Sequence, residues 1–585
     1  MTESSPATVA TEHSVRKRVP LIQATSRSDL ICSAALLLVF LALWVPRLTG
    51  PINFRWDAST YYILGTALAE GKGYRLLNEP GEIQAVQYPP LLPMFVAAVQ
   101  RTIGTHDYFK VGSVLRFAYL IFSALFLLMT YILARQFFSP QPALLVGVIT
   151  ALSFSSFIGP SDVLYADLPF AVVAIGFLVV QQNTDRPLFA ITSGAFAVAA
   201  YLLRTAGIAL LVAWVAESLF RRHFRQAALR ATISAVPVLL WQGYVWKVTH
   251  SDEYHHLAYS YQRAAYNYPN VTYGENSRLI APFQPELGRI RTNDFAKRLA
   301  RNVVAVPIAL GESAVIPSWF FPFLSRGLRN LHLSTYDQWS QLLWASLYVG
   351  LFAVGLLGLI GAVLIANSRR WFVSLYFGVT LGLVIMTPWE DQFWRYLASM
   401  TPLSLIFVFV TISALRSRLD SVDSAWRKTA GVALTIVPVV AILLVQAAVA
   451  VHVFRSRSPV SYYDATGQES VLRLWDYGSE WHALDPAFEW IRRYAPADAV
   501  IATTVPHLAY LRTEHKAVLP PFERDSDKAI HLLDEVPVTY LVLDQFERPG
   551  ISERYAAPLV AAKPTEWQLV FSDPGGKSEV YERKR

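Results

Sequence analysis

Hydrophobic positions along the chain cluster into long unbroken runs rather than alternating with polar ones. Eleven such runs lie near residues 30–49, 112–134, 142–159, 168–182, 187–203, 205–220, 228–249, 342–366, 371–388, 396–415 and 429–453. Runs of about 17–25 apolar residues predict membrane-spanning helices, because a helix of about 20 residues crosses the hydrocarbon core. Polar hinges alone separate the runs within 142–182 and 187–220, so nine to thirteen spans bracket the expectation. Residues 1–29 are polar and Ser/Thr-rich and read as a disordered tail. The run from Leu30 to Leu48 is longer than a signal-peptide core and lacks a small-residue cleavage pattern, so it reads as the first span. Three long segments remain outside the runs: loops 50–111 and 250–341 and the tail 454–585.

The tail carries a different period. Helical patterns at 485–494, 506–514 and 525–535 alternate with strand-like Ala499 to Thr504, Val538 to Asp544 and Trp567 to Phe571, which predicts a small α/β domain. The pattern as a whole predicts a polytopic α-helical membrane protein with about eleven transmembrane helices over 30–453 and a separate α/β domain over 454–585.

Composition supports a membrane chain. Hydrophobic residues make up 54% and charged residues 16% of 585, which several small soluble domains could not accommodate. The net charge of +8 does not indicate nucleic acid, since the basic residues sit between apolar runs instead of forming a dense polar tract. One cysteine, Cys32, lies within the first run and allows neither an internal disulfide nor a cysteine zinc site. Basic residues also set the orientation, because Lys and Arg resist translocation. Arg16, Lys17, Arg18, Arg27, Arg135, Arg186, Arg221, Arg222, Arg225, Arg230, Arg369, Arg370, Arg416, Arg418, Arg427 and Lys428 fall on one side. The short segments of opposite parity hold only Arg204 and Arg395. The amino terminus is therefore expected in the cytoplasm, and both long loops and the tail outside it.

Candidate chemistry gathers in the first outer loop. Arg55-Trp56-Asp57-Ala58-Ser59-Thr60-Tyr61-Tyr62 leads through Gly71-Lys72-Gly73-Tyr74 to Tyr88-Pro89-Pro90. Asp57 can cap a helix over 58–70, Gly71 or Gly73 can end it, and Pro89-Pro90 can open a second helix, both lying in the outer lipid boundary. The alternative makes Asp57 a carboxylate that takes a proton from a hydroxyl at the membrane surface.

These motifs resemble the polytopic glycosyltransferases of the GT-C type that use polyprenyl-phosphate sugars, the group containing the protein O-mannosyltransferases and the lipid A aminoarabinose transferases. In that family an acidic residue follows the first span, then Tyr, a Gly-x-Gly-Tyr-like stretch and a Pro-Pro motif. The likeness continues at Tyr165-Ala166-Asp167-Leu168-Pro169 and at Arg395-Tyr396-Leu397 with Pro402, and spans about residues 50–405. Two departures stand out. Many relatives place Glu after the first Asp, where this chain has Ala58. The Lys before Pro-Pro in aminoarabinose-type members is Tyr88 here, with Lys72 as a substitute nearby.

The resemblance implies an inverting transfer at the outer face, from a polyprenyl-phosphate sugar to a hydroxyl of a lipid, glycan or protein acceptor, in a bacterial inner membrane. It implies Asp57 and Asp167 as catalytic residues and Arg395, Arg204, Tyr61, Tyr88 and Lys72 on the donor-phosphate side. No metal ligands or cofactor motif are identified, and a divalent-metal requirement stays open. Local readings compete. Asp167 can cap the fourth span, Arg204 can snorkel from a hinge, and Arg395 can pair with Glu390 or Asp391. Asp162 is a further outer carboxylate. His255 and His256 complete no metal set and suit a surface, the tyrosines at 259–273 can stack on sugar or line the interface, and Asn270-Val271-Thr272 is a glycosylation sequon. A transporter or flippase, which would carry charges deep in several spans, and an inactive assembly subunit are the rival readings.

Overall fold

The computed structural model describes residues 26–584, except 182–186, 325–335, 369, 421–423, 457, 464–467, 475–476 and 548. Every apolar run lies on a helix: α1 (Arg27–Trp44), α4 (Tyr108–Arg135), α5 (Pro140–Leu152), α6 (Asp167–Gln181), α7 (Pro187–Leu203), α8 (Ile208–Phe220), α9 (Phe224–Thr249), α11 (Tyr336–Ala366), α12 (Trp371–Ile385), α13 (Thr401–Asp420) and α14 (Ala425–Arg455). Between them lie α2 (Asp57–Ala69), α3 (Leu91–Ile103) and α10 (Thr292–Ala314). Among the described residues five helices are long and apolar enough to cross a membrane: Arg27–Arg47, Tyr108–Arg135, Gln341–Ala366, Glu390–Leu419 and Trp426–Arg455. A sixth is added if α10 and Ser318–Leu324, bent by 61°, count as one span. Helices α5, α6, α7, α8 and α12 are apolar but shorter, with 13 to 17 residues. The 26-residue α9 is not among these, so the eleven expected spans correspond to five long apolar helices, five shorter ones and α9.

One sequence expectation is corrected. Helix α2 was expected to float in the lipid boundary, but nine of its thirteen residues are buried on every face. A helix that is apolar all round belongs in a protein interior. Loop 250–341 contains the 23-residue α10, whose first half carries Lys297, Arg298 and Arg301.

Local signals set several ends. Ser26 and Asp29 form a capping box on α1. Asp107 accepts the Phe109 and Lys110 amides at 2.9 Å to start α4, and Gly104 ends α3 in the left-handed region.

Contacts divide the helix ends into two sets. At one, Arg135 reaches Asp29 at 2.7 Å and Arg230 reaches Glu217 at 2.8 Å. At the other, Arg116 of α4 donates to Asp162 at 2.5 Å, to Arg47 O at 2.9 Å and to Pro51 O at 2.7 Å. Arg47 in turn donates to Ser161 at 2.9 Å. This buried network staples the chain after α1 to the hinge before α6. Asp162 belongs to it.

After α14 the chain forms a hairpin, β1 (Ser458–Tyr463) with β2 (Glu469–Leu474), then α15 (Ser479–Tyr494). A five-stranded sheet follows, built from β3 (Val500–Ala502), β4 (Lys516–Val518), β5 (Val538–Asp544), β6 (Trp567–Ser572) and β7 (Ser578–Arg583), with α16 (Pro506–Thr513) and α17 (Ser526–Glu535) between strands. The order is β4-β3-β5-β7-β6. Strands β3, β4 and β5 are parallel, and β7 is antiparallel to both β5 and β6. Hydrophobic packing runs unbroken from α1 through Trp481, Leu484, Ile501 and Val542, so this unit and the helices share one core. The unit also grips the first loop, where the Ala517 amide donates to Asn78 O at 2.8 Å and Lys516 to Leu77 O at 2.7 Å.

The Arg116–Asp162 pair yields a stability test. Breaking a buried ion pair by removing one partner leaves a buried charge uncompensated and costs about 3–5 kcal/mol. Asp162→Ala is expected to lower the melting temperature of the purified protein sharply; an unchanged melting temperature would show that the staple carries no stability.

Candidate active site

A cavity of about 670 Å³ lies between the helix ends and the C-terminal sheet. Arg55, Trp56 and Asp57 line it from the first loop, Tyr165 and Asp167 from the hinge before α6, and Trp394 and Arg395 from the segment before α13. His507, Phe522 and Arg554 face it from the C-terminal unit.

Asp57 is the first residue of α2, and Trp56 holds the N-cap position with no side-chain cap hydrogen bond. The carboxylate therefore does not cap the helix. Its Oδ1 accepts from Tyr88 Oη at 3.1 Å and its Oδ2 from Arg395 Nη2 at 3.0 Å. The same Nη2 donates to Asp167 Oδ2 at 3.2 Å, and Arg204 donates to Asp167 Oδ1. Two carboxylates and two guanidiniums thus form a chain, Arg204–Asp167–Arg395–Asp57, in which the formal charges cancel. Tyr165 lies under the Arg395 guanidinium, 4.1 Å from ring centroid to carbon, and its backbone carbonyl accepts from Tyr119 at 2.5 Å. Arg395 Nε is buried without a hydrogen-bond partner. The Asp57 side chain is 24% exposed and that of Asp167 6%, so a molecule in the cavity can reach Asp57 more readily.

The sequence around Asp57 shapes the wall. Trp56 adopts φ +50°, a left-handed conformation that costs a bulky residue of order 1–3 kcal/mol. Its ring is held by Trp481 and Phe546 of the C-terminal unit, with centroids 4.9 and 5.2 Å away. Gly71 and Gly73 take φ +76° and +86°, turning the chain so that Tyr74 Oη can donate to Tyr88 O at 2.8 Å. Tyr61 packs edge-on to Tyr88 at 4.9 Å, Tyr88 to Tyr268 at 6.0 Å, and Tyr268 to Trp389 at 5.9 Å, which gives the site an aromatic side.

The structure brings Asp57, Asp167, Arg395, Arg204, Tyr88 and Tyr61 together. Lys72 is placed elsewhere: it pairs with Glu70 at 3.0 Å on an exposed surface and does not line the cavity. Arg395 does not pair with its neighbours, because Glu390 engages Arg301 at 2.5 Å. Arg204 is not a snorkelling side chain but a partner of Asp167. Asn270 of the sequon is buried and donates to Gln262 O at 3.0 Å, which closes it to modification.

His507 had no signal in the sequence. It follows Pro506 at the start of α16, is buried against the cavity, and its Nε2 has no partner. Burial holds its pKa down to about 3, so the ring is neutral near pH 7.

No family model and no curated protein matches the sequence. Among solved structures, the chain is similar to the Archaeoglobus fulgidus oligosaccharyltransferase. In its complex with Zn and sulfate the identity is 13% over 94% of this chain and 73% of that one, with a TM-score of 0.50. In its apo form the TM-score is 0.50 over 88% and 69% at 13% identity. ArnT from Cupriavidus metallidurans bound to undecaprenyl phosphate aligns over 96% of this chain and 98% of that one at 11% identity, with a TM-score of 0.48. At this identity the archaeal likeness establishes a shared fold.

The archaeal enzyme was solved with Zn, which prompts a test of fit here. All four oxygens of Asp57 and Asp167 already accept hydrogen bonds, and Arg395 occupies the position between them. Among the described residues no three His, Cys, Asp or Glu side chains converge to hold a metal ion. These residues do not fit a metal site.

The buried imidazole makes stability pH-dependent. Unfolded, His507 takes up a proton below about pH 6.5, whereas folded it resists until about pH 3, so its contribution is full above pH 6.5 and declines as pH falls towards 3. Between pH 7 and pH 5 the wild-type protein is expected to lose about 2 kcal/mol more than His507→Gln. Parallel unfolding curves for the two proteins at both pH values would check this, and equal losses would contradict it.

Proposed function

We propose that the protein is a membrane glycosyltransferase that moves a sugar from a polyprenyl-phosphate donor to an acceptor hydroxyl, with inversion, at the outer face of the membrane. The single observation that carries this reading is the Asp57 carboxylate. It starts a helix without capping it, and is held at the cavity wall by Tyr88 and by an arginine shared with a second carboxylate. The motif order around these residues supports the same reading, as does the shared fold.

In this mechanism the acceptor hydroxyl sits beside Asp57. Its oxygen attacks the anomeric carbon while its proton passes to the Asp57 carboxylate, and the bond from that carbon to the donor phosphate oxygen breaks with its electron pair leaving on the phosphate. Arg395 supplies positive charge to the departing phosphate, and its unpartnered Nε–H gives it a donor not already engaged by carboxylate. Asp167 and Arg204 are positioning residues. They fix the arginine whose other face the substrate uses, and the Tyr165 ring fixes its plane. The aromatic wall of Tyr61, Tyr88 and Tyr268 lies beside Asp57, where the apolar faces of a sugar can pack.

Orientation follows from the basic asymmetry of the loops: amino terminus in the cytoplasm, cavity and C-terminal unit outside. A lipid-linked donor suits that side, since nucleotide sugars are made in the cytosol. The short helices α5 to α8 and α12, together with α9, complete a bundle of eleven spans in this reading, an odd number that puts its two ends on opposite sides.

Two measurements test the proposal together. Purified protein incubated with a panel of polyprenyl-phosphate sugars and hydroxyl acceptors is expected to release free polyprenyl phosphate; no release with any donor would count against the donor class. Asp57→Asn keeps the size of the side chain but cannot take the proton, so turnover should fall by about 10²–10⁴ with little change in donor binding. Wild-type turnover in that variant would remove Asp57 as the base.

A further inference from the structure

A second cavity, of about 370 Å³, lies in the C-terminal unit and shares no lining residue with the first. One stripe of α15 forms its floor: His482, Asp485, Pro486, Glu489, Trp490 and Arg493 recur at three- and four-residue intervals and face the same way. The β1 hairpin strand contributes Ser461 and Tyr463, α16 contributes Arg512, and β6 contributes Phe571.

Two kinds of surface meet there. Trp490 is flanked by Tyr494 at 5.4 Å and by Phe571 at 6.4 Å, rings inclined by 42° and 34°, and Tyr494 is 66% exposed. Beside them are polar atoms without partners. Asp485 Oδ1 accepts from Tyr477 at 2.9 Å and forms an ion pair with Arg512 at 3.2 Å, while its Oδ2 is buried with no hydrogen bond. His482 Nε2 is likewise buried and unpartnered. Pro486 has no N–H to offer the His482 carbonyl four residues earlier, so that acceptor also loses its helical donor. A buried polar group left unsatisfied costs about 1–3 kcal/mol, which a ligand bearing hydroxyls would recover. Burial pushes the Asp485 carboxyl up to about 6 despite Arg512 beside it, in keeping with an oxygen that lacks a donor.

The charges lining the groove cancel in pairs, Asp485 with Arg512 and Glu489 with Arg493. Nothing there selects an anion or a cation. A ligand that is neutral, rich in hydroxyls and flat and apolar on one face satisfies both surfaces, and a pyranose sugar has all three properties. We propose that this groove is a glycan-binding site for neutral oligosaccharides, with sugar rings stacked on Trp490 and Tyr494 and hydroxyls hydrogen-bonded to Asp485 Oδ2 and His482 Nε2.

The site stands apart from the transfer chemistry and does not depend on it. Helix α15 nevertheless joins the two cavities, since Trp481 packs on Trp56 of the first while the next residue, His482, lines the second.

The test uses the full-length protein in detergent. Cellotetraose, maltotetraose and α-1,6-linked mannotetraose are titrated by saturation-transfer NMR, with sialyllactose as an acidic control. At least one neutral tetrasaccharide is expected to bind, and to bind more tightly than sialyllactose. Tyr494→Ala and His482→Ala change an exposed ring and an unpartnered imidazole, so both should fold. Each is expected to weaken binding by about fivefold or more, the loss of one stacking or hydrogen-bond contact. Trp490→Ala should abolish binding, with its melting curve recorded alongside. No binding by any neutral probe, tighter binding of sialyllactose, or binding unchanged in Tyr494→Ala and His482→Ala would overturn the proposal.

Discussion

The site depends on one guanidinium shared by two carboxylates. Asp57 and Asp167 are 110 residues apart in sequence and Arg395 lies a further 228 residues beyond Asp167, yet a single nitrogen of Arg395 bonds to both. Without that cation two carboxylates would face each other at the edge of a low-dielectric bundle, where like charges repel strongly and burial is expensive. With it, three segments far apart in the chain are drawn into one wall. Arg204 closes the far end by binding Asp167, and tyrosines pack about Asp57 and Arg395 at the near one. A different ion pair, Arg116 with Asp162, fixes the backbone that delivers these groups, so the two outer aspartates of the hinge serve separate ends.

The same fact explains what the sequence could and could not reveal. Apolar runs and basic asymmetry are local or additive signals, and each of the eleven runs is a helix in the structure. The strand from Val538 to Asp544 and the helices of the C-terminal unit were legible for the same reason. Strands β4 and β7 were not, being short or mixed in polarity and defined by pairing partners distant in the chain. Asp57 was ambiguous because a residue that could cap a helix and one that could accept a proton look alike until the direction of the carboxylate is known, and Tyr88 and Arg395 set that direction. Arg395 itself invited pairing with adjacent acids, and the long-range pair won because it lies in the drier site. His507 sits in no periodic or acidic pattern, and only the docking of the sheet over the cavity brings it into view.

The C-terminal unit is therefore more than an appendage. Trp481 and Phe546 hold Trp56 in a backbone conformation that tryptophan seldom adopts, one residue before Asp57. Rigid support from another element is what allows such strain to persist, and strained backbone next to a candidate base suits a site that must be held ready. The hydrophobic core continues from the helices into the sheet, so loosening the sheet would be felt at the carboxylate. The groove on the far side of α15 shares that helix, which places the two cavities on one rigid support.

The central claim is that Arg395, held by two carboxylates, also meets the donor phosphate. Binding of undecaprenyl phosphate to wild-type, Arg395→Lys and Arg395→Ala proteins, each shown to be folded by its melting curve, tests this most directly. Loss of one charge-assisted hydrogen bond is worth about 1.5–3 kcal/mol, so Arg395→Ala is expected to bind at least about tenfold more weakly. Arg395→Lys should recover only part of that, because a point charge cannot reproduce the fork that spans Asp57, Asp167 and phosphate. A folded Arg395→Ala protein that binds the lipid phosphate as tightly as wild type would contradict the account.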